Sequence, residues 1–130
     1  MDPSLEALNT TLAGRDDLRL VLAFGSRARG DATDTSDLDL AVSAPSVDLL
    51  ALAAELSERL GVEVDVVDLD GDVPIPLLMR LIDESVVVHE GVRHTAAAWR
   101  TRTLLALEID GPWYRRQRDA FLARVAERGL

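Results

Sequence analysis

The chain contains no cysteine, which excludes disulfides, thiolate zinc sites and a cysteine nucleophile together. Histidine is nearly as scarce. His89 and His94 have no third His or Cys to complete a transition-metal site, so surface or packing roles are expected for both. Lysine is absent too, and all 14 basic residues are arginine. Arginine's planar fork suits phosphate and carboxylate recognition, and a GC-rich genome gives the same bias. No apolar run approaches the roughly 20 residues that a membrane helix needs, so no membrane contact is expected. The opening MDPSLEALN is acidic and has no apolar leader core, so a cytoplasmic location is expected. Acids outnumber bases by 23 to 14, leaving −9. A coat for nucleic acid must neutralise phosphates, so no direct nucleic-acid binding is expected.

What is present is enough for a core. Of 130 residues, 48% are hydrophobic, which suits one folded domain spanning residues 1–130. Helix and strand patterns alternate. A helix is expected over 4–13, capped by Ser4, with strands over 18–24, 36–43 and 62–69. Helices are expected over 46–60, ending at Gly61, and over 74–85, with a short strand at 86–91. Two further helices, 93–109 and 112–128, are expected on either side of Gly111-Pro112. The implied fold is a small α/β domain: a mixed sheet with helices mainly on one face, a core over 18–90 and a C-terminal helical segment over 93–128. Charge divides along the same line. Residues 1–92 carry six arginines and nineteen acids; residues 93–130 carry eight arginines and four acids. The basic segment reads either as a solvated helical face or as a flank attracting triphosphate or an acidic protein. Trp99, Trp113, Tyr114 and Phe121 lie in the same segment, as core or as an interface.

The chemistry concentrates in Phe24-Gly25-Ser26-Arg27-Ala28-Arg29-Gly30 and in Ser36-Asp37-Leu38-Asp39-Leu40. A buried strand runs into a loop bracketed by glycines. There, successive N–H groups and a hydroxyl can cradle phosphate oxygens, with Arg27 and Arg29 as candidate clamps. Asp37 and Asp39 are two apart on a strand, so both carboxylates share a face. At ~5 Å they repel by roughly 3 kcal/mol at an effective dielectric near 20. A divalent cation between them would offset that, and such carboxylates suit Mg²⁺; the alternative is a solvated edge strand. In Val64-Asp65-Val66-Val67-Asp68, parity assigns Asp65 to the site and Asp68 to a turn.

Gly25-Ser26, then ten residues, then Asp37-x-Asp39 resembles the G-S-x10-D-x-D motif of the polymerase β-like nucleotidyltransferase superfamily. The short chain, with Asp65 in a Val-Asp-Val-Val strand, resembles its minimal nucleotidyltransferase branch, which includes MntA-type antitoxins of HEPN-domain toxins. The motifs span Leu18 to about Glu90. The resemblance implies ATP as co-substrate with Mg²⁺, held by Asp37, Asp39 and Asp65, and phosphates on Gly25 and Ser26. Arg27 or Arg29, and more distantly Arg80, Arg100 or Arg102, would meet the triphosphate. It further implies AMP transfer to a hydroxyl, a tyrosine of the partner toxin, which silences it. Two alternatives remain open: a non-catalytic nucleotide-binding antitoxin acting by occlusion, and transfer to a small molecule.

Overall fold

The computed structural model describes residues 2–128. Helix α1, Pro3–Leu12, begins one residue before the expected start because Asp2 is the cap. Its carboxylate accepts from the Ser4 amide at 2.8 Å, with Pro3 in the first turn. Strand β1, Leu20–Phe24, is buried along its whole length. A single turn of helix, α2, Ser26–Arg29, follows, and then β2, Leu38–Ser43. Helix α3, Leu49–Leu60, starts late for the same reason as α1 starts early: Asp48 caps it by accepting from the Leu50 and Ala51 amides. Strand β3, Val64–Asp68, helix α4, Ile75–Glu84, and strand β4, Val86–His89, come next.

The last element, α5, runs unbroken from Thr95 to Glu127 and replaces the two helices expected around Gly111-Pro112. A proline inside a helix deletes one hydrogen bond and crowds the preceding turn, at about 3 kcal/mol. Here Glu108, Asp110 and Pro112 are all exposed, so the freed carbonyl faces solvent. Gly111 is buried against α4, with the Met79 methyl 3.7 Å from where a Cβ would stand. It serves packing and does not stop the helix. At 1.5 Å per residue the helix is about 50 Å long. Among the described residues no helix is long and apolar enough to cross a membrane.

The sheet is mixed, in the order β3-β2-β1-β4. β1 is antiparallel to β2 and β4, and β2 is parallel to β3 through the α3 crossover. Alternation along β1 feeds two cores. Val21 and Ala23 pack with α1 and α3, among Leu5, Leu8, Leu12, Leu52 and Leu56. Leu20, Leu22 and Phe24 pack on the other face with Leu81 of α4 and Trp99 of α5. Helices therefore cover both faces, since β1 and β2 are apolar on both and must be buried on both. The sheet stays open at one end, where β1 leaves and β2 and β3 enter.

Candidate active site

That open end is where the polar loop and the acidic strands meet. Register places Phe24, the last residue of β1, opposite Asp39, and Asp39 beside Asp65 on β3. Gly25 follows immediately, with φ +78° and ψ −160°, a combination open essentially only to glycine. A Cβ there would collide with the Asp39 Oδ2. The turn and the carboxylate are in direct contact, and the missing side chain at 25 is what permits it. Gly30, also in the left-handed region, ends α2 with its amide on the Ser26 carbonyl at 3.0 Å. The first amides of the turn have no carbonyl one turn earlier to bond.

Gly25, Ser26, Arg29, Thr35, Ser36, Asp37, Asp39 and Arg80 line an open depression of about 420 Å³. Burial raises the Asp39 carboxyl above its usual range. The charges of Asp65 and Asp37 raise it further, and the Arg80 guanidinium opposes them. Among the described residues no three His, Cys, Asp or Glu side chains form a preformed metal cage. Asp37 and Asp39 share the depression, and Asp65 stands next to Asp39 without lining it. Asp68 lies outside the site, where its carboxylate accepts from the Asp70 amide at 2.9 Å and closes a turn.

The two loop arginines part company. Arg27 is 7% exposed and turned away from the depression. Its Nε and Nη2 donate to the Ser36 carbonyl at 3.0 and 2.7 Å. Its Nη1 donates to Ser4 Oγ at 3.1 Å and to Asp2 Oδ1 at 3.4 Å. All three nitrogens are committed, so the structure does not bring Arg27 into this depression. It ties the start of α1 to the chain that enters β2. Arg27→Ala is expected to cost about 3 kcal/mol, near 10 °C in melting temperature, by leaving buried acceptors unpaired. Arg27→Lys should not restore it, since an ammonium cannot reproduce the planar fork. Thermal unfolding of both variants checks this, and an unchanged midpoint would contradict it.

Arg29 does line the depression. It donates to Glu84 Oε2 at 2.8 Å and to Asp31 Oδ2 at 3.3 Å. Arg80 lines it as well, although the sequence alone could not choose it from Arg100 and Arg102. The Arg100 Nη1 reaches the Ile82 carbonyl at 3.4 Å, and Arg102 lines hollows elsewhere. Glu84 carries no motif, and its available signal is the i, i+4 spacing with Arg80 on a helix. A larger cavity of about 570 Å³ lies among Asp2, Leu5, Arg27, Ala28 and Val86, with its arginine already bonded.

Comparison with known proteins extends the geometry. The chain matches the polymerase beta nucleotidyltransferase family over residues 6–93. No curated protein sequence matches it. Among solved structures it is similar to a chain of a toxin–antitoxin crystal structure with AMP-PNP, at 21% identity and a TM-score of 0.70. That match covers 95% of this chain and 98% of the other. It is similar also to a chain of the tri-AMPylated Shewanella oneidensis HEPN toxin in complex with MNT antitoxin. There the identity is 22%, the TM-score 0.66, and the coverage 97% and 99%. At these identities the likeness is one of fold.

Proposed function

Because the chain belongs to the polymerase β nucleotidyltransferase family, we propose that it transfers AMP from ATP to a tyrosine hydroxyl of a HEPN-type toxin and so acts as its antitoxin. The observation that carries a nucleotidyl-transfer site is the contact between the Gly25 turn and Asp39, with Ser26, Asp37, Arg29 and Arg80 lining the same depression. An open depression of about 420 Å³ that brings hydroxyls, arginines and carboxylates together suits a triphosphate and its counter-ion. The choice of acceptor draws on the structural relatives, one with AMP-PNP and one with an AMPylated HEPN toxin.

The residues divide the work. Ser26 and the turn amides take phosphate oxygens of ATP, and Arg29 meets charge on the leaving side. Asp37 and Asp39 are the carboxylates that would hold Mg²⁺. Two of them suffice, because this ion keeps several waters and shares substrate phosphates. When bound, it supplies charge neutralisation and acidifies the attacking hydroxyl. The hydroxyl oxygen bonds to the α-phosphorus as the bond to the β-phosphate bridge breaks. Pyrophosphate leaves, and the hydroxyl proton passes to Asp65. The partner has a surface to use. Beyond Gly111, α5 extends as a helix that exposes Trp113, Phe121 and Leu122. Unsupported helices of that length are marginal in water.

Intact-mass spectrometry of the HEPN-domain protein encoded nearby tests the reading, after incubation with this chain, ATP and Mg²⁺. One or more added AMP units are expected, and none with the Asp37→Asn/Asp39→Asn variant. A stable complex with both versions and no mass change would overturn catalysis in favour of occlusion. Turnover without the protein partner would point instead to a small-molecule acceptor.

A further inference from the structure

We propose that Glu84 is a positioning residue that sets Arg29 and Arg80 as a two-arginine clamp for the phosphate chain, with Arg80 as a direct ligand. The proposal rests on the reading of the depression as a nucleotide site. Glu84 is 14% exposed and gives one oxygen to each arginine: Oε2 to Arg29 Nη1 at 2.8 Å, Oε1 to Arg80 Nε at 3.0 Å. The arginines come from distant places, α2 and α4, and one carboxylate joins them. Both hydrogen bonds hold the Glu84 carboxyl below its usual range, that from Arg29 most strongly.

Arg80 is further constrained by the Phe24 ring, with the guanidinium carbon 5.5 Å from the ring centre. Nε on Glu84 and a face on Phe24 fix the plane of the fork. Among the described residues neither Nη of Arg80 donates a hydrogen bond. Arg80 lines the hollow with Ser26 and Asp39, and its charge is felt at the Asp39 carboxyl. A guanidinium held in place, half exposed and with its outer edge unused suits bidentate capture of phosphate oxygens. Without Glu84, two adjacent cations would repel and both long side chains would regain their rotamers, an entropy that binding must then remove.

Calorimetric titration of ATP with Mg²⁺ into wild type, Arg80→Ala, Glu84→Ala and the double variant tests this, with inorganic tripolyphosphate as the competing probe. Arg80→Ala should weaken both ATP and tripolyphosphate about tenfold, the size of one charge-assisted hydrogen bond. Glu84→Ala should weaken both by about fivefold or more, and the double variant by clearly less than the product of the singles. Melting temperatures verify folding, and Glu84→Gln, which keeps one acceptor oxygen, should fall between wild type and Glu84→Ala. Unchanged affinity in Arg80→Ala, weakened ATP with unchanged tripolyphosphate, or multiplicative losses would overturn the clamp while leaving the nucleotide site standing. Tighter binding by Glu84→Ala would make Glu84 a competitor of the phosphates and also overturn it. Wild type that binds no ATP would remove the nucleotide reading and the clamp with it.

Discussion

Asp39→Asn is expected to lower nucleotide transfer by about 10³-fold, the loss that follows removal of a key electrostatic group, while raising the melting temperature of the metal-free protein. The two effects share a cause. Burial and the neighbouring charges of Asp65 and Asp37 lift the Asp39 carboxyl above its ordinary range. The folded chain therefore holds that proton more tightly than the unfolded chain does. Stability contributed by the protonated form is complete below the ordinary carboxylate range and is lost as pH rises through the raised folded value. At neutral pH the ionised group works against the fold, and asparagine removes the penalty. Scanning calorimetry should find the variant a few degrees more stable at pH 8. The advantage should vanish as pH falls below the ordinary range, where Asp39 is protonated in both states. Added Mg²⁺ should stabilise wild type and not the variant. A variant that melts lower than wild type at pH 8, or that keeps a tenth of the transfer activity, would contradict this account.

Gly25→Ala is expected to damage fold and function together, because it offends two constraints at once. The backbone at φ +78° and ψ −160° lies in a region that side chains avoid, at a cost of about 1–3 kcal/mol. The new methyl would collide with the Asp39 Oδ2, and both the turn and the carboxylate are needed where they are. A loss of about 10 °C in melting temperature and about 10²-fold in transfer is expected. Gly30→Ala is the control. It also has positive φ, +87°, but nothing lies within 4 Å of its Cβ position, so it meets backbone strain alone and should keep most of the activity. Combining Gly25→Ala with Asp39→Ala removes the collision and should recover part of the stability but none of the activity. Equal melting temperatures for the two alanine variants would refute the collision.

The closeness of Gly25 to Asp39 explains why this grouping of residues is legible in the sequence. Both residues sit at the ends of strands whose alternation is local: Leu38, Leu40 and Val42 point to one core, so Asp39 must point to the other face. β2 and β3 then pair in parallel with Asp39 beside Asp65, as parity requires. The turn glycine is legible because few residues accept such a backbone. The helix starts differ from expectation by a residue or more because Asp2 and Asp48 are the caps. The expected break at Gly111-Pro112 failed because a proline penalty is finite and the helix there is free to solvate its carbonyl.

Periodicity and backbone geometry alone thus determined the strands, the glycine turn and the face on which the acids gather. These depend on neighbours within a few residues, and period 2 or 3.6 leaves little choice. Which arginine does what was decided only by the tertiary structure. Arg27 and Arg29 are two apart on one short helix, yet one is buried between α1 and the entry to β2 and the other reaches Glu84, 55 residues away. A guanidinium on a long, flexible stem can take many directions, and its choice is set by acceptors that folding brings from remote parts of the chain.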